Sequence, residues 1–252
     1  MEELVLYLSL KYEGDFKKIY NALLKKELVD EKLKNELKRN LKANYTTIFS
    51  NDYPEALKSI NCPPFVLFYY GNLDLLNKKT IGVVGTRKVN NYGDQATQDF
   101  VKQLVKEEYV IISGMAQGVD TIAHQTAISH CGKTIAILGT GIDYCYPHEN
   151  ENLYTELKMK HLIMSEYPFM ANPNQNLFPF RNRIISGLAS SLLVTQAKPK
   201  SEVMITAGYA LEQGKEIYCV PERYDDDCYG GCNELIKNGA MLVTNAKDIT
   251  NE

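Results

Sequence analysis

Short apolar runs alternate with amphipathic segments through most of the chain. Runs rich in Val, Ile and Leu recur at residues 79–85, 109–113, 133–138, 161–165, 191–195, 216–220 and 240–244. Between most of them lie segments with helical spacing; in residues 93–108, for example, Ala96, Phe100 and Leu104 fall on one face. Strands that are apolar throughout and alternate with helices are typical of a parallel sheet covered on both faces. The pattern therefore predicts an α/β fold with a doubly wound, mostly parallel sheet in residues 79–252.

The first 78 residues have a different pattern. Residues 1–50 combine apolar positions at three- and four-residue spacing with intervening Lys and Glu, which predicts a small N-terminal helical module. Residues 51–78 contain three prolines and the apolar stretch 64–70, which predicts a linker or arm that packs on the following domain. The basic run at 32–42 is interpreted as a solvated helix face, with contact to phosphates as the alternative.

Composition and charge argue against a membrane protein and against a protein that binds nucleic acid through an overall basic surface. The chain is 44% hydrophobic and 23% charged, and no apolar run approaches the roughly 20 residues of a membrane helix. Acidic residues precede the first apolar run, unlike a signal peptide, and the six cysteines are scattered, so we expect a cytoplasmic protein with reduced thiols. Residues 1–80 carry 13 basic and 11 acidic side chains, and residues 81–252 carry 15 and 20. A polyanion therefore has to bind a local patch or backbone amides.

Glycines follow three of the predicted strands. The loops at 85–87, 113–120 and 139–143 lie at carboxyl ends of strands, where ligands bind in parallel sheets. Glycines let the backbone approach a ligand closely, and helix N-termini direct free amides at an anion. The loops together form a candidate phosphate-binding ledge, although each one alone is compatible with plain turn chemistry. The glycines match neither a G-x-G-x-x-G nor a Walker A pattern.

Two basic positions accompany these loops. Arg87 directly follows the first glycine turn, so its guanidinium is expected at the rim of the ledge, where it suits a phosphate or a base edge. Residues 178–183 read Phe-Pro-Phe-Arg-Asn-Arg, a segment that can clamp a nucleic-acid backbone and stack a base. The alternative is that Arg181 and Arg183 pair with nearby acids and that the phenylalanines belong to the core.

Four motifs follow one another in fixed order along the chain: G-T-R at 85–87, S-G-x-A-x-G-x-D-x-x-A-H at 113–124, L-G-x-G-x-D-x-x-Y-P at 138–147 and F-P-x-R-N-R-I-I-x-G-L at 178–188. In this combination the sequence resembles the DprA/Smf family of DNA-processing proteins over roughly residues 78–250, and residues 52–76 fit the family's lead-in. The resemblance implies a Rossmann-like domain that binds single-stranded DNA without catalysing a reaction on it. It further implies a role in DNA recombination during natural transformation (competence), in which the protein protects incoming strands and helps to load RecA recombinase onto them. Family members usually form homodimers, so a homodimer is expected here as well. No cofactor or metal ion is expected.

The resemblance also suggests which residues contact DNA. The matching positions are Gly85, Thr86, Arg87, Ser113, Gly114, Gln117, Gly118, Tyr146, His148, Phe180, Arg181, Asn182 and Arg183. Gln117 stands where the family often has a basic residue, and His148 stands where a lysine is common. An acidic stretch at 224–227 replaces a more neutral loop, so we expect weaker or more salt-sensitive binding than in a typical member.

The ends of the chain also depart from the family pattern. The sequence ends where many members continue into a winged-helix domain, whose contributions are therefore expected to be missing. The N-terminal region resembles the family's sterile-alpha-motif-like module only loosely. Family analogy places the dimer contact in residues 231–244, with Leu235, Ile236 and Met241 as exposed contributors.

Two further groups of residues are candidates for catalysis or metal binding. Asp120 and His124 lie one helical turn apart, but no nucleophile with its own motif accompanies them, so helix capping and packing by Asp120 are preferred over catalysis. Cys228 and Cys232 lack the partners of a zinc site. The alternative function is a nucleotide-binding enzyme or sensor similar to nucleoside monophosphate hydrolases. Those enzymes are expected to carry P-G-G-x-G-T-x-x-E, and residues 195–214 lack its paired glycines.

Overall fold

A single nine-stranded sheet organises residues 1–171, 176–225 and 229–250, the part of the chain that the computed structural model describes. The strands are β1 (Asn44–Thr47), β2 (Val66–Gly71), β3 (Thr80–Val84), β4 (Val110–Ser113), β5 (Thr134–Gly141), β6 (Leu162–Tyr167), β7 (Ser191–Val194), β8 (Glu216–Cys219) and β9 (Met241–Leu242). Their order across the sheet is β1-β2-β6-β5-β4-β3-β7-β8-β9. The pairs β1–β2 and β2–β6 are antiparallel and the others are parallel, which confirms the predicted mostly parallel sheet.

Helices cover both faces of this sheet. They are α1 (Glu2–Lys11), α2 (Phe16–Leu24), α3 (Glu31–Asn40), α4 (Glu55–Lys58), α5 (Asn91–Lys106), α6 (Val119–Ser129), α7 (Glu151–Lys160), α8 (Leu177–Leu188), α9 (Glu202–Glu212), α10 (Gly231–Lys237) and α11 (Lys247–Thr250), with short 3-10 turns at Leu73–Asn77 and His148–Asn150. One core joins the sheet to α4, α8, α9 and α10, and a second core joins its other face to α5 and α6. None of these helices is both long and apolar enough to cross a membrane.

The N-terminal part of the chain packs on the sheet. Val5 and Leu6 of α1 share a core with Phe68 of β2 and with α7. The apolar stretch 64–70 supplies β2, which extends the sheet beyond β6. Residues 44–47 differ from the expectation of an all-helical N-terminal region, because they pair with β2 as an edge strand. The buried, β-branched Thr46 and Thr47 favour this extended conformation.

The order of the strands creates a crevice between β3 and β7. The chain runs outward from β3 through β4 and β5 to β6, and it then returns to place β7 on the other side of β3. The helix that follows β3 packs on one face of the sheet and the helix that follows β7 packs on the other. Loops that leave neighbouring strands toward opposite faces separate at the strand ends, and such switch points are where open α/β sheets bind ligands.

Candidate nucleic-acid interface

A cavity of about 330 Å³ opens at this crevice. We call it the Arg87 cleft; its polar and charged lining consists of Thr86, Arg87, Lys88, Asp120, Arg181, Asn182, Lys198, Ser201, Glu202 and Thr206. Four of these side chains are basic and two are acidic, although residues 81–252 as a whole are acidic. The cleft therefore concentrates positive charge locally, as a site for a polyanion on an acidic chain requires.

Arg87 lies at the mouth of the cleft with about half of its side chain exposed. Its Nη2 atom donates to Oε2 of Glu202 at 2.6 Å, and its guanidinium carbon lies 5.7 Å from the ring centre of Phe178. The rings of Phe178 and Tyr146 are 5.4 Å apart, and Tyr146 is 42% exposed. A smaller cavity of about 60 Å³ lies beside these rings and is lined by Arg87, Gln117, Tyr146 and Phe178 among others. A guanidinium at one end of a pair of aromatic rings can bind a phosphate while a neighbouring base stacks.

The loop between β4 and α6 lines the smaller cavity together with Arg87 and is held by buried hydrogen bonds. The buried Asp120 carboxylate accepts hydrogen bonds from the amides of Gly114 (3.1 Å) and Ala116 (3.4 Å), so it holds the two ends of this loop segment together. Ser113 donates its hydroxyl to the carbonyl of Val83 at 2.7 Å and is fully buried. The expected helix-capping role of Asp120 is thus replaced by a loop clamp, because Gly118 occupies the position before α6. Burial raises the pKa of Asp120, and the positive charge of Arg181 opposes that rise.

Arg181 forms part of the wall of the cleft and is only 4% exposed. Its Nη1 atom donates to the carbonyl oxygens of Gly114 and Ile137, and its Nε atom donates to Asn182. Burial lowers the pKa of Arg181 to about 10, so the guanidinium remains charged at neutral pH. Its positive charge therefore contributes to the cleft, while its Nη1 and Nε atoms donate to groups of the chain itself.

Arg183 faces away from solvent altogether. Its Nη2 atom donates to both carboxylate oxygens of Glu166, at 2.9 and 2.7 Å, and the two side chains are 2% and 4% exposed. Its Nε and Nη1 atoms donate to the carbonyls of Cys62 and Phe180. The expectation that Arg183 faces DNA is therefore wrong, because every nitrogen of its guanidinium is bound within the fold. Pairing with a nearby acid, the alternative left open by the sequence, describes it correctly.

The other predicted positions divide into exposed and buried groups. Gln117, Tyr146 and His148 are exposed, and Phe180 is half-buried against Arg183 and Phe16. Buried or backbone positions that shape the cleft are Gly85, Thr86, Gly114, Gly118 and Asn182. Thr86 donates its amide to the carbonyl of Gln196 at 2.8 Å, which joins the two sides of the crevice.

Sequence reasoning missed the side of the cleft that follows β7. Lys198, Ser201 and Glu202 lie there, between the end of β7 and the first turn of α9. The rule that singled out the loops after β3, β4 and β5 applies equally to the run at 191–195, since that run also ends where a helix begins. The strand order that places this loop opposite Arg87 could not be read from the sequence.

The remaining candidate groups have structural partners. His124 is fully buried, its Nδ1 atom lies 2.6 Å from the hydroxyl of Thr134, and burial lowers its pKa to about 3, so it is neutral and does not pair with Asp120. Within the described ranges no cluster of His, Cys, Asp and Glu is arranged to hold a metal ion. Cys228 and Asp226–Asp227 of the acidic stretch lie outside the described residues, as do positions 172–175 before the arginine segment.

Comparison with known sequences identifies relatives over most of the chain. A family model described as DNA recombination-mediator protein A matches residues 44–252. The DNA processing protein DprA of Bacillus subtilis is 42% identical over 210 residues, which cover 83% of this chain and 71% of that protein. The matched region includes every strand of the sheet and both sides of the cleft.

Solved structures of DNA processing proteins have a fold similar to that of this chain. The X-ray structure of DNA processing protein A (DprA) from Streptococcus pneumoniae has a TM-score of 0.84 and 33% sequence identity, and the match covers 100% of this chain and 93% of that one. DNA processing protein A from Helicobacter pylori, whose structural study describes a single-stranded DNA binding mode, has a TM-score of 0.75 and 31% identity over 83% of this chain and 95% of that one.

Proposed function

The chain belongs to the DprA/Smf family of DNA processing proteins, and from this membership we propose that it binds single-stranded DNA at the Arg87 cleft. The observation that carries the proposal is the half-exposed guanidinium of Arg87 beside the ring pair Tyr146–Phe178, at the mouth of a locally basic cavity. Phosphates and the faces of bases are common to all sequences, so binding is expected to be independent of sequence. The H. pylori relative, whose structural study concerns binding of single-stranded DNA, supports the choice of ligand.

Single strands are expected to bind more tightly than duplex DNA. Stacking on an exposed ring requires an unpaired base and contributes about 1–3 kcal/mol for each base, which corresponds to roughly five- to 150-fold in affinity. The test is a fluorescence anisotropy titration with labelled oligothymidine and with a blunt duplex of the same length. Each neutralised phosphate should add about 0.7 to the slope of the logarithm of the affinity against the logarithm of the salt concentration. Because few cations line the cleft, we expect a shallow overall slope, and weaker binding rather than greater salt sensitivity. Equal or tighter binding of the duplex would contradict the proposal.

We further propose that the protein acts as a recombination mediator without a catalytic step of its own. In this role it protects incoming strands in the cytoplasm during natural transformation and delivers them to a RecA-type recombinase. The family description as a recombination mediator supports the role. The engagement of Asp120 with backbone amides and of His124 with Thr134 argues against acid–base chemistry in the cleft. Faster assembly of RecA on oligothymidine in the presence of the protein would support this role, whereas release of free base from nucleotides, detected by mass spectrometry, would contradict it.

Self-association is proposed at the β9 edge of the sheet. Met241 and Leu242 are 48% and 51% exposed in β9, which leaves two adjacent apolar side chains at an open edge. Leu235 and Ile236, which were expected to be exposed as well, are half-buried and pack against the core, so they contribute less surface than the sequence suggested. A homodimer formed here would leave the Arg87 cleft of each copy open, because the cleft lies at the strand ends between β3 and β7.

A further inference from the structure

The guanidinium of Arg87 already has an anionic partner in the free protein. Its Nη2 atom donates to Oε2 of Glu202 at 2.6 Å, and the two side chains are 50% and 44% exposed. Arg87 follows β3 and Glu202 is the first residue of α9, so the pair spans the mouth of the cleft from one side to the other. A phosphate that enters the cleft therefore meets a guanidinium whose Nη2 atom is already bound to a carboxylate.

The start of α9 offers a second reason for an anion to sit where the Glu202 carboxylate lies. Ser201 precedes this eleven-residue helix, and its side chain makes no capping hydrogen bond to the first amides. Within the described part of the chain its hydroxyl is buried without a hydrogen-bond partner. The positive end of a helix and unpaired donors both attract negative charge. Lys198 lines the same wall, so a phosphate and the Glu202 carboxylate are drawn to the same place.

We propose that Glu202 is an internal competitor of the DNA phosphate: it holds Arg87 when the cleft is empty and must be displaced when a single strand binds. The inference rests on the proposed function and adds to it a residue that sets the affinity of the site. An ion pair that is half exposed on both sides is weak enough to exchange, which makes displacement by a phosphate feasible. The free energy needed to break this pair is subtracted from that of DNA binding, so Glu202 lowers the affinity through its contact with Arg87.

Replacement of Glu202 by glutamine separates competition from positioning. Glu202→Gln keeps the size of the side chain and removes its charge, so oligothymidine should bind about two- to fivefold more tightly, the range that an exposed ion pair covers. The gain should shrink between 50 and 200 mM salt, because screening weakens the competing pair. If Glu202 instead orients Arg87 for the phosphate, Glu202→Gln binds more weakly than the wild type and the proposal is overturned.

Two further variants make the test specific. Glu212→Gln removes the same charge at the other end of α9, about 15 Å away and beyond the screening length at physiological salt, and it should leave the affinity unchanged. In an Arg87→Ala background, Glu202→Gln should give no gain, because there is no guanidinium left to release. A gain that persists without Arg87, or that Glu212→Gln reproduces, would show a general charge effect and overturn the proposal.

The same titrations distinguish this inference from the proposed function. If the wild type fails to bind oligothymidine, or if Arg87→Ala binds as the wild type does, the site itself is misassigned. If the wild type binds and Arg87→Ala binds weakly, while Glu202→Gln is no tighter than the wild type, only the competitor role fails. Thermal melts of every variant test whether each protein is folded at the temperature of the titrations.

Discussion

Arg87 exposes half of its side chain, whereas Arg183 exposes almost none of it. The two residues have the same chemistry and both lie in motifs shared with DNA-processing proteins, yet their surroundings give them different tasks. A guanidinium in contact with solvent can exchange its partner for a ligand at little cost. A guanidinium buried against a carboxylate cannot, because its release would leave an unpaired charge inside the fold.

Arg87→Ala is expected to remove most DNA binding without affecting the fold. The loss of a charge-assisted contact to phosphate costs about 1.5–3 kcal/mol, which lowers the affinity roughly ten- to hundredfold. Arg87→Lys keeps the charge but not the planar fork, so it should recover only part of the affinity. Anisotropy with labelled oligothymidine measures both effects. Wild-type affinity of Arg87→Ala would mean that DNA binds elsewhere on the protein.

Arg183→Ala is expected to lower stability rather than to act on DNA directly. The variant leaves the Glu166 carboxylate buried and unpaired, at a cost of about 3–5 kcal/mol in the free energy of unfolding. Urea denaturation followed by circular dichroism measures this loss, and Arg87→Ala serves as the control with unchanged stability. If the variant does not accumulate as folded protein, joint replacement by Glu166→Leu and Arg183→Met should restore folding, since apolar pairs often substitute for buried ion pairs. A loss below about 1 kcal/mol would contradict the structural role.

The loop between β4 and α6 shows how an element shapes the site through its backbone. Gly118 has φ +78°, a left-handed conformation, and a Cβ atom at this position would collide with the carbonyl oxygen of Thr86. Only glycine lets the loop after β4 pass this close to the loop after β3. A Cβ atom there would also meet the backbone carbonyl of Arg87, so the contact fixes this loop against the residue that carries the guanidinium.

Gly118→Ala is therefore expected to destabilise the protein by about 1–3 kcal/mol, because the loop has to adopt a strained conformation or move away from Thr86. DNA binding should weaken as well, since the displaced loop packs against the backbone of Thr86 and Arg87. Gly208→Ala in α9 is the matched control: a Cβ atom there meets nothing within 4 Å, and alanine favours a helix. Urea denaturation of both variants gives the comparison. Equal stability of the two variants would contradict this account of Gly118.

Local pattern was sufficient to predict most elements but not their arrangement. All seven apolar runs from residue 79 onward contain a strand, and every residue of β3 to β7 is buried, as a parallel sheet covered on both faces requires. The strand Asn44–Thr47 was missed, since its polar sequence becomes a strand only by pairing with β2. The burial of Arg181 and Arg183 could not be predicted either, because it depends on which side of α8 faces the sheet. A role for Glu202 could not be predicted, because only the strand order places the start of α9 opposite Arg87.

At the scale of the whole molecule, the two edges of the sheet differ. One edge ends in β1, which carries the buried residues Thr46 and Thr47, whereas the other ends in β9, both of whose residues are exposed. An apolar open edge favours pairing with another chain. The second copy in the proposed homodimer is therefore expected at β9 rather than at β1.

Met241→Lys is expected to shift the protein toward the monomer, because a charge at the centre of an apolar contact is costly to bury. Sedimentation equilibrium over a range of micromolar concentrations measures the shift. Leu28→Lys is the control, since Leu28 is 89% exposed in the N-terminal region and lies outside the proposed contact. A wild-type protein that remains monomeric at high micromolar concentration would contradict the dimer, and so would an equal effect of the two variants.

The pairing of β3 with β7 also has a kinetic consequence. Thr80 and Ser190 meet across this pair although they are 110 positions apart, and the two loops that form the cleft depend on it. Contacts between such distant segments are slow to form, because a long stretch of chain must be ordered before they are gained. The helices can acquire their backbone hydrogen bonds before the crevice exists. During refolding the protein is thus expected to regain its far-ultraviolet signal first and its capacity to bind a single strand only in the slowest phase.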